Sequence, residues 1–297
     1  MTAVAVTAFA LALSGQLPRL PDGLPVAGHL PEEAHLLLGR KGLLAKEPAT
    51  LLALCAAHLA LGVPPGRPTP PPPSADLTAV VVSSNLGNAH SVRTAAHAVR
   101  HGSYRDISPL AGPNLSANVI AGTIALRYGL AGANLTACSG AAGGLQALRL
   151  GALLLRAGRA ERVVVVGVEP DDATARALQA ARGPESHGAP PRAQAACVIL
   201  EAPPTPPRRN ALLLGRFTHH GSRPPDPPHH SSALRTFGTD LSSLGPGYGA
   251  DGVVRTAVAA AWLRGRTHCS WLRVTSGDRS DGYMSARLGQ FERRKAE

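Results

Sequence analysis

The chain has few aromatic residues: two Trp, four Tyr and four Phe in 297 residues. A core without them must be built from closely packed Ala, Leu, Val and Gly, and a hydrophobic content of 44% suffices for a sizeable one. Acidic side chains are also scarce, 19 against 30 Lys and Arg, which leaves a formal charge of +11. That balance favours acidic partners. The cations are nonetheless mostly single arginines, without the lysine blocks or interleaved aromatics of a nucleic-acid binder, so no nucleic acid is expected. Cysteine is limited to Cys55, Cys138, Cys197 and Cys269. These are too scattered for a disulfide framework or a CxxC metal site, and they fit a reducing cytoplasm. No apolar run reaches the length of a membrane span. Residues 1–15 are apolar but lack a basic start, and they read as a first strand rather than a signal peptide.

What is present is an alternation of strand and helix patterns. Strands are expected at 3–13, 79–83, 163–168, 195–201 and 211–217, and the last strands within 271–286. Helices are expected at 49–61, 91–102, 117–128, 171–181 and 253–263. Gly122 is read as allowing close backbone approach, and Gly129 as ending a helix. Residues 67–74, RPTPPPPS, read as a stiff polyproline loop. A Pro-rich linker at 202–209 separates an N-terminal half, 1–202, from a shorter C-terminal half, 203–297. His97 and His101 stand at i, i+4 near His90, but no acidic residue or third ligand accompanies them, so an exposed face is expected rather than a metal site. His219, His220, His229 and His230 lie among prolines in what reads as a surface loop.

The central stretch is 134–169, NLTACSGAAGGLQALRLGALLLRAGRAERVVVVGVE. It reads as strand, small-residue turn, apolar helix buried nearly all round, and a strand covered on both faces. Residues 140–144, GAAGG, sit at the strand-to-helix corner, where many enzymes hold a nucleophile against the helix dipole. No side chain there can react.

These residues carry a resemblance. SPLAGPNLSANVIAGTIALRYGL at 108–130, followed by the 134–151 stretch and VVVVGVE, resembles the N-terminal half of a β-ketoacyl synthase of the thiolase superfamily. GRKG at 39–42 before a helix fits the same pattern. The resemblance places the reactive cysteine of that family at Ala141. AGGL at 142–145 is closer to the chain-length factors of type II polyketide synthases, which lack the nucleophile. SLGPGYGADG at 243–252 resembles the turn that carries a catalytic histidine, with Pro246 at the histidine's place. The segment for an earlier histidine is missing, and VTSGDRSDG is a worn version of the family's closing Gly-rich loop.

The resemblance implies an α/β, thiolase-like layered αβαβα fold with a shortened C-terminal half. It implies a catalytically silent chain-length-factor subunit. Such a subunit pairs with a ketosynthase as a heterodimer and controls chain length in a type II synthase making a polyketide or polyene chain. It has no cofactor of its own, because the phosphopantetheine arm belongs to the acyl carrier protein that is its other partner. No metal and no membrane are expected. Leu110, Leu115, Asn118 and Val119 are the implied tunnel and interface residues. Two other readings stay open. One is a weak thiolase-superfamily acyltransferase or decarboxylase using Cys138, although a buried structural cysteine is the expected role of that residue. The other is a degenerate scaffold protein.

Overall fold

The computed structural model describes residues 4–28, 31–66, 75–182, 192–203, 211–225, 244–266 and 271–290. The strands are β1 (Val4–Leu13), β2 (Val26–Ala27), β3 (Thr78–Ser83), β4 (Asn134–Ala137), β5 (Arg162–Glu169), β6 (Gln194–Glu201), β7 (Leu212–His219), β8 (Trp271–Asp278) and β9 (Gly282–Gln290). The helices are α1 (Ala34–Leu38), α2 (Pro48–Ala60), α3 (Ala89–His101), α4 (Val119–Tyr128), α5 (Gly143–Arg156), α6 (Ala173–Ala181) and α7 (Asp251–Arg264). The expected polyproline loop, Cys269, His229 and His230 lie outside the described residues.

The strands run β4-β3-β5-β6-β1-β7-β9-β8, with β2 paired to β1. β3 pairs in parallel with β4 and β5, whereas β5–β6 and β6–β1 are antiparallel. Among the described residues, β1 meets β7 from Val4↔Leu214 to Val6↔Leu212. Beyond this contact, β7, β9 and β8 form an antiparallel meander.

Layering follows from which face each side chain takes. Val163 and Val165 of β5 join the core cluster that holds Leu145 and Leu148 of α5, Val253 and Ala257 of α7, and Val274, Met284 and Leu288 of β8 and β9. Val164 and Val166, one residue out of step, join Leu52 and Leu54 of α2 and Ile124 of α4. Successive strand residues point to opposite faces, so a continuous valine run is what a strand between two helical layers requires. Helices α5 and α7 thus lie between the two sheet halves, with α2 and α4 outside the first. This is a thiolase-like α/β fold, in which the described residues supply four layers.

Two readings of single elements need correction. α5 is buried on one side only: Arg149 is exposed and Leu153 is 57% exposed. Arg149 and Leu153 are four residues apart, so they share an outward stripe that neither sheet half reaches. Gly122 does not admit a close neighbour, since a Cβ there would meet nothing within 4 Å. Gly129 does end α4, in the left-handed conformation with φ +65°.

Candidate functional site

The heads of α5 and α7 meet, and each is preceded by a short 3-10 turn, 140–142 and 248–250. Glycine makes the meeting possible. A Cβ on Gly144 would lie 2.8 Å from the Gly252 backbone nitrogen, and one on Gly252 would overlap the backbone of Leu145. Gly140 holds φ +66° at the exit of β4, a turn that side chains resist, and its bare face is covered by Asp281.

Ala141 sits at the centre of this corner with its methyl group buried. Both of its backbone polar groups are taken by the β8–β9 hairpin. Its N–H donates to Asp281 Oδ2 at 2.8 Å, and its carbonyl accepts from Ser276 Oγ at 2.7 Å. Arg182, just past α6, donates through Nη2 to Asp281 Oδ2 at 2.6 Å and to Asp278 Oδ2 at 3.0 Å. Asp278 is buried, and its Oδ1 accepts from the Asp281 N–H at 2.8 Å, which shapes the hairpin tip. The Tyr248 ring covers the guanidinium at 4.3 Å. Tyr248 adopts φ +42°, in a region where a non-glycine residue is strained by about 1 kcal/mol. Burial pushes its phenol up to about 12, with Arg182 opposing, so it stays protonated at neutral pH.

Behind the corner lies Glu169, at the end of β5. Its carboxylate accepts from the backbone N–H of Asn85 at 2.7 Å, the N–H of Leu86 at 3.0 Å and Asn85 Nδ2 at 3.0 Å. Burial outweighs these bonds and raises it to about 7. Asn85 also grips the 140 turn, donating to the Gly140 carbonyl and accepting from the Gly140 N–H.

The residues singled out from sequence fall in different places. Pro246 is half-buried in the loop before Tyr248 and has no ionisable group to offer. Cys138 is corrected: it stands one residue beyond β4, exposed rather than buried in the sheet, and its Sγ–H donates to the Ser84 carbonyl at 3.1 Å. Partial burial and the nearby Glu169 charge raise its thiol, which disfavours a thiolate. Leu110 is 63% and Leu115 39% exposed, whereas Val119 is buried. Asn118 is exposed and ties α4 to β4, donating to Asn134 Oδ1 and accepting from Thr136 Oγ1. No group of three or more His, Cys, Asp or Glu that could hold a metal occurs among the described residues. His97 and His101 lie side by side on the outside of α3, with ring centroids 4.5 Å apart and planes tilted by 41°. Asp278, Asp281, Arg182 and Tyr248 were not anticipated as a group. The only hint is the acid-rich turn 277–282, GDRSDG, in a chain poor in acids.

Residues 40–193 match the family model for the β-ketoacyl synthase N-terminal domain, more than half of the chain. The chain belongs to the β-ketoacyl synthase family. Among solved structures, this family member is similar to the ishigamide ketosynthase/chain length factor, with 18% identity and a TM-score of 0.70. It is also similar to a type II polyketide synthase acyl-carrier protein complex with its ketosynthase bound to the hexaketide, with 13% identity and a TM-score of 0.69. A third similar structure, a β-ketoacyl synthase from Burkholderia phymatum STM815, has 12% identity and a TM-score of 0.65. Each alignment covers 98% of this chain and 100% of the other. At such identities the likeness bears on the fold. Comparison with curated proteins gives no match. No helix among the described residues is long and apolar enough to cross a membrane.

Proposed function

We propose that this ketosynthase-family chain is a catalytically silent subunit of the chain-length-factor kind. It pairs with an active ketosynthase, completes the acyl tunnel across their interface and controls chain length, while an acyl carrier protein delivers acyl groups to the ketosynthase. The observation that carries the reading is Ala141 itself. Acyl transfer of this type needs a nucleophile to hold the chain and donors to stabilise the developing oxyanion. The helix-head turn instead presents a methyl group, and Pro246 offers no proton acceptor. Cys138, a thiol three residues before Ala141, is exposed, and its surroundings disfavour the thiolate. The exposed Leu110, Leu115 and Asn118 support a surface that a partner covers. The molecule's cationic balance, +11, suits an acidic carrier.

The test is coexpression with a type II ketosynthase from the same genome. A stable one-to-one complex is expected by size exclusion with mass determination. Intact-mass spectra after exposure to acyl and malonyl carrier protein should show the acyl group on the ketosynthase and none on this chain. Acylation of this chain, or indifference to the ketosynthase, would overturn the reading.

A further inference from the structure

The hairpin tip does more than pack against the corner. An N–H at a strand-to-helix turn points where negative charge gathers on a carbonyl oxygen under attack, and it is useful only if left free for that oxygen. Here that N–H, at Ala141, already bonds a full negative charge, the Asp281 carboxylate at 2.8 Å. The side chain and the backbone of Asp281 are each held in place. Arg182 Nη2 binds the carboxylate at 2.6 Å, and the Asp281 backbone is fixed by the buried Asp278, which the same guanidinium contacts at 3.0 Å. Tyr248 closes over the guanidinium, and Gly140 leaves the space that the carboxylate fills.

We propose that Asp281 is a built-in plug: its carboxylate, held by Arg182, occupies the oxyanion position at the Ala141 N–H and blocks acyl binding independently of the missing cysteine. The inference rests on the silent-subunit reading only in taking position 141 as the place where an acyl-bearing residue would stand. It follows that replacing the nucleophile alone does not restore acyl transfer.

The experiment compares Ala141→Cys with Ala141→Cys/Asp281→Ala. Each is treated with hexanoyl-N-acetylcysteamine and, separately, with iodoacetamide, and modification is followed by intact mass. In the first reaction the introduced thiolate attacks the thioester carbonyl. A new C–S bond forms, the old one breaks, and the departing thiolate takes up the proton that the introduced thiol gave up. Alkylation also needs the thiolate, but it passes through no oxyanion. The ratio of acylation to alkylation rate therefore isolates the donor from any change in thiol ionisation.

Removing Asp281 should raise that ratio by about 100-fold, the usual worth of one oxyanion donor. An unchanged ratio would overturn the plug. Should the double variant not fold, amide hydrogen exchange on the unaltered chain decides. A Ala141 N–H held by Asp281 exchanges as slowly as the core of α5, and fast exchange overturns the proposal. Efficient acylation of Ala141→Cys alone would defeat the plug and leave the silent-subunit reading standing. Acylation of the unaltered chain would defeat that reading instead.

Discussion

Glu169 is a buried carboxylic acid whose burial and hydrogen bonds pull in opposite directions. Hydrogen bonds from the backbone of Asn85, Leu86 and Gly249 and from Asn85 Nδ2 favour the charged form, yet removal from water raises the group to about 7 from an ordinary value of 4.5. A group whose folded value is raised binds protons more tightly in the native state. Its contribution is therefore complete below pH 4.5 and lost as pH climbs through 7, up to about 3 kcal/mol in all. Glu169→Gln removes this titration. Urea denaturation of the two proteins at pH 5, 6, 7 and 8 should show the stability difference moving in favour of the variant as pH rises. A constant difference would mean that the carboxylate is already ionised at pH 5.

At the scale of elements, the packing of α5 on α7 depends on two glycines that face each other's backbone. Gly252→Ala would force its methyl group into the Leu145 and Gly144 backbone, which cannot rotate away. Overpacking of this kind costs about 1–3 kcal/mol, against a helix-propensity gain of about 1 kcal/mol. The clash wins, and thermal denaturation should show a Tm lower by several degrees, at about 2–4 °C per kcal/mol for a chain of this size. Gly122→Ala is the matched control. It lies inside α4 with open space around its Cβ position, so the propensity gain stands alone and Tm should rise. Tunnel tests need the same discrimination. Val119 is buried, so Val119→Phe disturbs the core, whereas the exposed Leu115 tolerates a larger side chain.

For the whole molecule, the proposed role places function at a surface. Among the described residues, strand β4 ends the sheet, with an unpaired backbone edge and half-buried side chains. Beside it stands Asn118, bonded to Asn134 and Thr136. Such an edge is a natural place for a second chain to continue the sheet. In a reconstituted synthase, Leu115→Phe should shorten the product without reducing copurification with the ketosynthase. Unchanged product length would point to a scaffold without a tunnel. The meander β7-β9-β8 meets β1 through three residue pairs among the described residues and ends in the edge strand β8, so hydrogen exchange in β8 should exceed that in the central β5.

Much of this was legible in the linear pattern because it depends on local chemistry. The valine run of β5, the Gly129 stop of α4 and the strand–turn–helix around Ala141 are dictated by side-chain period and backbone freedom, which any short stretch displays. The identity of position 141 as alanine, and with it the lack of a nucleophile, is likewise a property of the sequence alone. What only the tertiary structure decided is who touches whom across long separations. Arg182 and Asp281 are 99 residues apart, and Asp281 lies 140 residues from Ala141. Nothing in the local pattern of either partner selects the other. Their contact exists because the fold brings the end of α6, the head of α5 and the β8–β9 tip to one corner, where a buried N–H and a guanidinium both require an acceptor. The exposure of Cys138 and Leu153 was hidden for the same reason. A residue's own pattern shows that it can be buried, but only the neighbouring elements determine whether it is.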